Sequence, residues 1–403
     1  MPFSPFREFT LATVNNIRIV CPFGCIAGRS FPLVPTEALE SECALEIASE
    51  PIYSRRCSAT PGRRILAIHA IILALSFAII LAGSELFTNG VESAGHRLQI
   101  AEAAVGSILA AVGTALPETF IPAVALLAGR DRAAAHTAVG LGAIVGAPLM
   151  LSTVALFVMG IAALAFRRRG ERALKVVRED ARRDLAFFFP VFLCLVIAGT
   201  IEMGTMLRHV LAAALLMVYA SYTVVMLRLT RAVGAEVEHG LYFESILRGN
   251  PLEPRASATA AQVIVGVLAI LIGAVEFVDQ IIAFSAHAHL NPGVVSLILS
   301  PLATELPEKY NSVVWIRQRK DHLALANITG AMVFQSCIPV ALGLAFSPWH
   351  LTNQELLAGS VTLASAAILY INVRDSELGI PALMIGAAAY AVFLIGLRYT
   401  GTL

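Results

Sequence analysis

The sequence predicts an all-α polytopic membrane protein of about ten transmembrane helices, arranged as two inverted five-helix repeats. Three observations predict it. Of 403 residues, 57% are hydrophobic and only 14% are charged, whereas a soluble domain carries about 25% charged residues; mean hydropathy is +0.76. Apolar runs long enough to span a bilayer recur at 65–88, 100–128, 134–166, 185–203, 206–229, 259–285, 293–316, 323–346, 354–373 and 379–398. Finally, Leu116-Pro117-Glu118 in the second run returns as Leu306-Pro307-Glu308 in the seventh, 190 residues on, and Gly83 and Gly273 are separated by the same 190. Each unit holds five segments, an odd number, so the second copy enters the membrane from the opposite face.

Taken in order, residues 1–64 are rich in Pro, Ser and Arg and hold no spanning run or cleavable signal pattern, so they read as a disordered N-terminal tail without function. Residues 65–229 form the first transmembrane repeat, 230–258 a cytoplasmic loop of balanced charge, and 259–403 the second repeat. The third and sixth runs exceed the roughly 20 residues a span needs and are expected to tilt or bend.

Orientation follows from basic residues in short loops. Arg167, Arg168, Arg169, Arg172, Lys175, Arg178, Arg182 and Arg183 follow the third segment, and Arg317, Arg319 and Lys320 follow the seventh. Both loops face the cytoplasm only if both termini lie outside it. Arg55, Arg56, Arg63 and Arg64 dissent, but the two internal loops agree with each other. The expected setting is the inner (cell) membrane. A net charge of +1 gives no footprint for nucleic acid, and Cys21, Cys25, Cys43, Cys57, Cys194 and Cys337 make no zinc-type arrangement. No cofactor is expected; the partners are the lipid bilayer and inorganic cations.

The cation expectation comes from Glu118 and Glu308. A carboxylate at the centre of a membrane-length segment costs roughly 3 kcal/mol on insertion scales, so two of them need a purpose. Each follows a proline, which has no N–H and frees the carbonyl four residues back, at Gly113 and Ala303. Freed carbonyls beside a Thr hydroxyl and a carboxylate make an oxygen-rich site of the kind hard cations select.

The two stretches Gly113-Thr114-Ala115-Leu116-Pro117-Glu118 and Ala303-Thr304-Glu305-Leu306-Pro307-Glu308 resemble the G-T-S-L-P-E motif of the sodium/calcium exchangers, within the cation/calcium antiporter superfamily. The family's later element, G-N-x-x-G-S-N, is degenerate here: Gly142-Ala143-Ile144-Val145-Gly146-Ala147-Pro148 and Ala326-Asn327-Ile328-Thr329-Gly330-Ala331-Met332. The resemblance covers about 64–403. It implies that Glu118 and Glu308 bind calcium, that Thr114 and Thr304 offer oxygens, and that the carbonyls of Ala111 and Pro301 join them. Two bidentate glutamates and two carbonyls give six oxygens, the lower end of what calcium takes.

The chain departs from the family where a Ser follows each Thr: Ala115 and Glu305 stand there. The Ser and Asn or Asp of the later helices are replaced in the second repeat by Ala331 and Gln335. In the first repeat they are replaced by Ala147 and Leu151 on motif grammar, or Leu141 and Val145 on equal spacing from the glutamate. Gln335 is the one ligand-capable side chain left at these positions. The implied function is secondary antiport of calcium against sodium or protons by alternating access, without covalent chemistry. The alternatives are a carrier for another cation and, less favoured, an intramembrane enzyme, which the duplicated site argues against.

Glu305 lies three residues before Glu308, about 60° round a helix. Two carboxylates that close do not both stay ionised without cost, so Glu305 is expected to replace lost sodium-binding capacity with a place for a proton. Glu85 and Glu276 are expected to line a vestibule or sit near helix ends. Lys309 is expected to point away or snorkel, and His287 and His289 form an H-x-H at the outer end of segment six. His69 reads as solitary.

Overall fold

Proline, glycine and small residues decide where this chain breaks and where its helices meet. The computed structural model describes residues 60–97, 116–128, 133–166, 173–229, 241–243, 255–373 and 376–400. Helix α1 (Thr60–Arg97) is followed by α2 (Leu116–Ala128) and by α3 (Ala133–Met150), which runs through a π-helical turn at Leu151–Ala155 into α4 (Leu156–Phe166). Strand β1 (Ala173–Lys175), α5 (Arg178–Ala198) and α6 (Thr205–Leu229) come next. The later part comprises α7 (Ala256–Ala288), α8 (Pro292–Thr304), α9 (Leu306–Arg317), α10 (Asp321–Phe346), α11 (Asn353–Asn372), β2 (Glu377–Gly379) and α12 (Ile380–Tyr399). Among the described residues, seven helices are long and apolar enough to cross a membrane, and α2 and α8 add shorter apolar helices. The molecule is an all-α membrane protein, with one two-stranded ribbon among the described residues.

Two boundaries differ from expectation. Helix α1 begins at Thr60, inside the stretch read as a tail, with Pro61 in its first turn, where a missing N–H costs nothing; residues 1–59 lie outside the described residues. Helix α5 begins at Arg178, so Arg178, Arg182 and Arg183 belong to a helix and not to a loop. The expected loop at 230–258 lies mostly outside the described residues.

Helices α1 and α7, of 38 and 33 residues, are about 57 and 50 Å long. They lie against each other through glycines. A Cβ on Gly83 would come within 2.9 Å of the Gly266 carbonyl oxygen, and one on Gly273 within 2.9 Å of the Ser76 carbonyl oxygen. The two contacts are reciprocal under the 190-residue offset that relates Gly83 to Gly273, since Ser76 and Gly266 are related by it too. Small residues here let backbones touch.

Helix α3 approaches α8 in the same way. A Cβ at Gly142 or Gly146 would collide with the carbonyls of Gly293 or Leu297, and Gly146 also faces the Pro301 ring. The degenerate Gly142…Gly146 element therefore brings α3 onto the helix that leads into the second glutamate motif. Asn291 caps α8 by accepting from the Gly293 N–H at 2.8 Å, with Pro292 at the first helical position.

Turns are tied as well as helices. β1 and β2 pair antiparallel, Leu174 opposite Leu378, and the Lys175 N–H donates to Asp321 Oδ2 at 3.0 Å at the start of α10. Elsewhere Leu351 N–H donates to the Gly199 carbonyl at 2.9 Å, and Trp349 Nε1–H to the Leu195 carbonyl at 3.2 Å.

Candidate cation site

Pro307 ends α8 and starts α9. It has no N–H to continue the helix, and the chain steps through Glu305 at φ −89°, ψ 7°. Glu305 is thus the junction residue between the two helices, and Glu308 lies in the first turn of the second. The Glu305 N–H still donates to the Pro301 carbonyl at 3.1 Å, and the Lys309 N–H to the Glu305 carbonyl at 3.2 Å. Glu118 sits in the first turn of α2, behind Pro117, as Glu308 sits in the first turn of α9 behind Pro307.

All three acids are buried: Glu118 is 4% exposed, Glu305 0% and Glu308 3%. Helix α2, which carries Glu118, packs against α8 and α10, the helices that carry Thr304 and Gln335, so the two motifs lie in one region of the fold. Gln335 on α10 joins it, its Nε2 donating to Glu305 Oε1 at 2.6 Å. Eight buried side-chain polar atoms have no hydrogen-bond partner among the described residues. Five are here: both oxygens of Glu118, Oε2 of Glu305, Oε2 of Glu308 and Oε1 of Gln335. Buried polar atoms are normally paired. These five unpaired acceptors are all oxygens, the ligand type a calcium ion takes.

Other expected ligands fall around this cluster. Thr304 is buried at the end of α8. The Pro301 carbonyl is buried too, but it is not free, since it accepts from Glu305 N–H and faces Lys309 Nζ at 3.5 Å. Thr114 and Ala111 lie outside the described residues. At the first-repeat positions Leu141, Val145, Ala147 and Leu151 all are buried. The hydroxyls of Ser152 and Thr153, in the π-helical turn, donate back to the Leu149 carbonyl.

Lys309 corrects the sequence reading. It does not snorkel: it is 6% exposed, and its Nζ lies 3.5 Å from the Pro301 carbonyl oxygen. Its adjacency to Glu308 in an apolar run was the available signal, since an ionisable residue at membrane depth is functional by default. Asn327 was also passed over, although it stands in the family's degenerate element. Its Nδ2 donates to the Glu308 carbonyl at 3.2 Å, which holds the α9 turn against α10.

The remaining candidates lie apart. Glu85 is exposed and accepts from Tyr242 Oη at 2.8 Å; Glu276 accepts from Gln280 Nε2 at 2.7 Å. His287 and His289 do not act as a pair. His289 turns away with φ 57°, while the His287 ring lies 4.9 Å from His69 across α1 and α7. His69 is not solitary, since its Nδ1 is 2.6 Å from Gln280 Oε1. Among the described residues no group of three or more His, Cys, Asp or Glu, Glu118, Glu305 and Glu308 included, stands close enough together to hold a metal ion by those side chains alone.

A buried acid outside this site escaped the sequence reading. Asp184 on α5 is 1% exposed and accepts from Tyr222 Oη at 3.0 Å and Thr329 Oγ1 at 2.5 Å. Its neighbours Arg182 and Arg183 made the stretch read as a solvated loop.

Comparison with known proteins adds the following. A sequence model of the family described as sodium/calcium exchanger protein matches residues 68–228 and again 259–398. The putative antiporter CaxA of Alkalimonas amylolytica is 22% identical over 314 residues, covering 77% of this chain and 92% of that protein. The crystal structure of the H+/Ca2+ exchanger CAX is similar with a TM-score of 0.65 at 16% identity, over 82% of each chain. The sodium-calcium exchanger NCX_Mj is similar with a TM-score of 0.51 at 19% identity, over 83% of this chain and 99% of that one.

Proposed function

This chain belongs to the sodium/calcium exchanger protein family, and we propose that it exchanges calcium for sodium or protons across the membrane by alternating access. It is a membrane transporter and not an enzyme. The observation that carries the calcium reading is the set of five unpaired buried oxygens on Glu118, Glu305, Glu308 and Gln335. Thr304, Pro301 and, from the resemblance, Thr114 and Ala111 complete the proposed ligand set.

The architecture we propose is ten spans in two inverted repeats. The reciprocal glycine contacts of α1 and α7 support it, as does a family model that matches the chain twice. So do the turn contacts. Ten spans put the α4–α5, α9–α10 and α11–α12 turns on one face, and these are the turns joined by β1, β2 and the Lys175–Asp321 bond. They put the α5–α6 and α10–α11 turns on the other, where Leu351 meets Gly199. With the basic turns inside, both termini lie outside the cytoplasm. A cysteine placed near Arg319 is then shielded from impermeant thiol reagents in intact cells, and one near Pro348 is labelled; the reverse pattern overturns the orientation.

For the counter-ion, Glu305 is the proposed proton site, with Oε2 as the oxygen that no neighbour engages. Calcium flux into proteoliposomes is expected to respond to an imposed pH gradient alone. Glu305→Ser is expected to weaken that response more than any sodium-driven one. Flux that ignores pH and follows sodium fully removes Glu305 from the exchange.

A further inference from the structure

We propose that the groove between α5 and α11 is a binding site for one anionic glycerophospholipid, with an acyl chain lying along the groove and the phosphate on Arg182. Neither helix carries a ligand of the proposed cation site, so the inference stands apart from the calcium reading.

The apolar part comes first. On α5, Leu185, Ala186 and Phe189 follow Arg182 by three, four and seven residues, so all four share one helix face. Across from them on α11 stand Ala366, Ala367 and Tyr370. Three of these six lining residues are alanines, too short to fill the space between two helices, and a cavity of about 360 Å3 remains. That volume falls within the roughly 300–1,000 Å3 of small-molecule sites. Leu185 and Ala366 are buried, whereas Ala186 and Tyr370 are exposed, so the cavity is a groove open along one side. Helix α11 is long and apolar enough to cross a membrane, and an apolar groove on such a helix meets acyl chains.

One end of the groove is charged. The Arg182 guanidinium carbon lies 4.3 Å from the centre of the Tyr370 ring, inside the roughly 6 Å of a cation–π contact. Arg182 takes part in no ion pair among the described residues, whereas Arg183 beside it pairs with Asp180 at 2.9 Å. Stacking on the ring engages the face of the guanidinium. Its N–H donors lie in the plane and stay open to a phosphate, which they can meet two at a time. Arg182 is half-buried, so the cation is held at the groove's mouth. Helix α5 starts and α11 ends beside the paired β1 and β2, which puts Arg182 at the depth of headgroups and the alanines at the depth of chains. A basic pocket between membrane helices is the kind of place where anionic headgroups dock.

The test is native mass spectrometry of the delipidated full-length protein, titrated with phosphatidylglycerol or with phosphatidylcholine of identical chains. The wild type is expected to hold one phosphatidylglycerol about fivefold more tightly than phosphatidylcholine. Arg182→Gln is expected to lose that preference, and Arg183→Gln, whose native guanidinium is engaged by Asp180, to keep it. Ala186→Trp, at an exposed position, fills the groove and is expected to abolish the first tight lipid of either kind. Glycerol 3-phosphate, which has the headgroup chemistry without the chains, is expected not to compete. A wild type without preference overturns the proposal, as does an Arg182→Gln protein that keeps it. Competition by glycerol 3-phosphate makes the site one for a free phosphate and overturns the lipid assignment. An Ala186→Trp protein that binds phosphatidylglycerol as the wild type does, with or without a changed oligomeric state, removes the lipid from the groove; a changed state gives the groove to a second copy. The wild-type preference and the competition stand even if a variant does not fold.

Discussion

Asp184 and the Glu118–Glu305–Glu308 cluster are both buried acids in the same helical body, and they are furnished in opposite ways. Asp184 has each carboxylate oxygen met by a neutral hydroxyl, from Tyr222 and from Thr329. Glu118 has neither of its oxygens met by any donor, and Glu305 and Glu308 each keep one oxygen free. Glu355 resembles Asp184: it is 3% exposed and closes a capping box with Thr352. Burial alone therefore does not mark an ion site. Asp184 joins α5 to α6 and α10 and has its requirements met within the protein; the glutamates have acceptor capacity left over for a cation.

The largest expected effect lies on the cluster side. Glu118→Gln and Glu308→Gln should each cut calcium exchange by at least about 100-fold while the protein still inserts, because a dehydrated divalent ion needs the lost charge. Near-normal exchange in either variant would collapse the distinction from Asp184. The next effect lies on the other side. Asp184→Ala leaves the Tyr222 hydroxyl without its partner, whereas Thr329 Oγ1 keeps the Leu325 carbonyl at 3.2 Å. A loss of about 1–3 kcal/mol is expected in thermal unfolding, with calcium flux per folded molecule within about threefold of wild type. Unchanged stability with abolished flux would instead put Asp184 on the ion path. Tyr222→Phe sharpens the same contrast at the smallest scale, with about 1 kcal/mol lost.

What the sequence could disclose follows from the physics of each feature. A carboxylate in an apolar run is conspicuous, because membrane insertion penalises it; Glu118 and Glu308 stood out for that reason, and Glu305 through its departure from the family motif. Gln335 emerged only through the resemblance. Asp184 was hidden because it lies among arginines, where an acid looks solvated, and only the packing of α6 and α10 around it shows otherwise. The direction of Lys309 was illegible, since a lysine can reach either way and tertiary packing chooses. β1 and β2, of three residues each, carry too little periodicity to register as strands. The π-helical turn at Leu151–Ala155 has no sequence mark beyond the Pro148 that precedes it.

The break at Pro307 has a consequence for fields as well as for shape. Helix α8 ends at Thr304 and α9 begins at Leu306, so the carbonyl end of one helix dipole meets the amide end of another at Glu305. The first carries partial negative charge and suits a cation; the second carries partial positive charge and suits the Glu308 carboxylate in its opening turn. Each end contributes about 0.3–1 kcal/mol at exposed sites and up to about 2 kcal/mol where partly buried. One imino acid thereby gives the cluster a place for a positive ion and an anchor for a negative side chain within a single turn of chain.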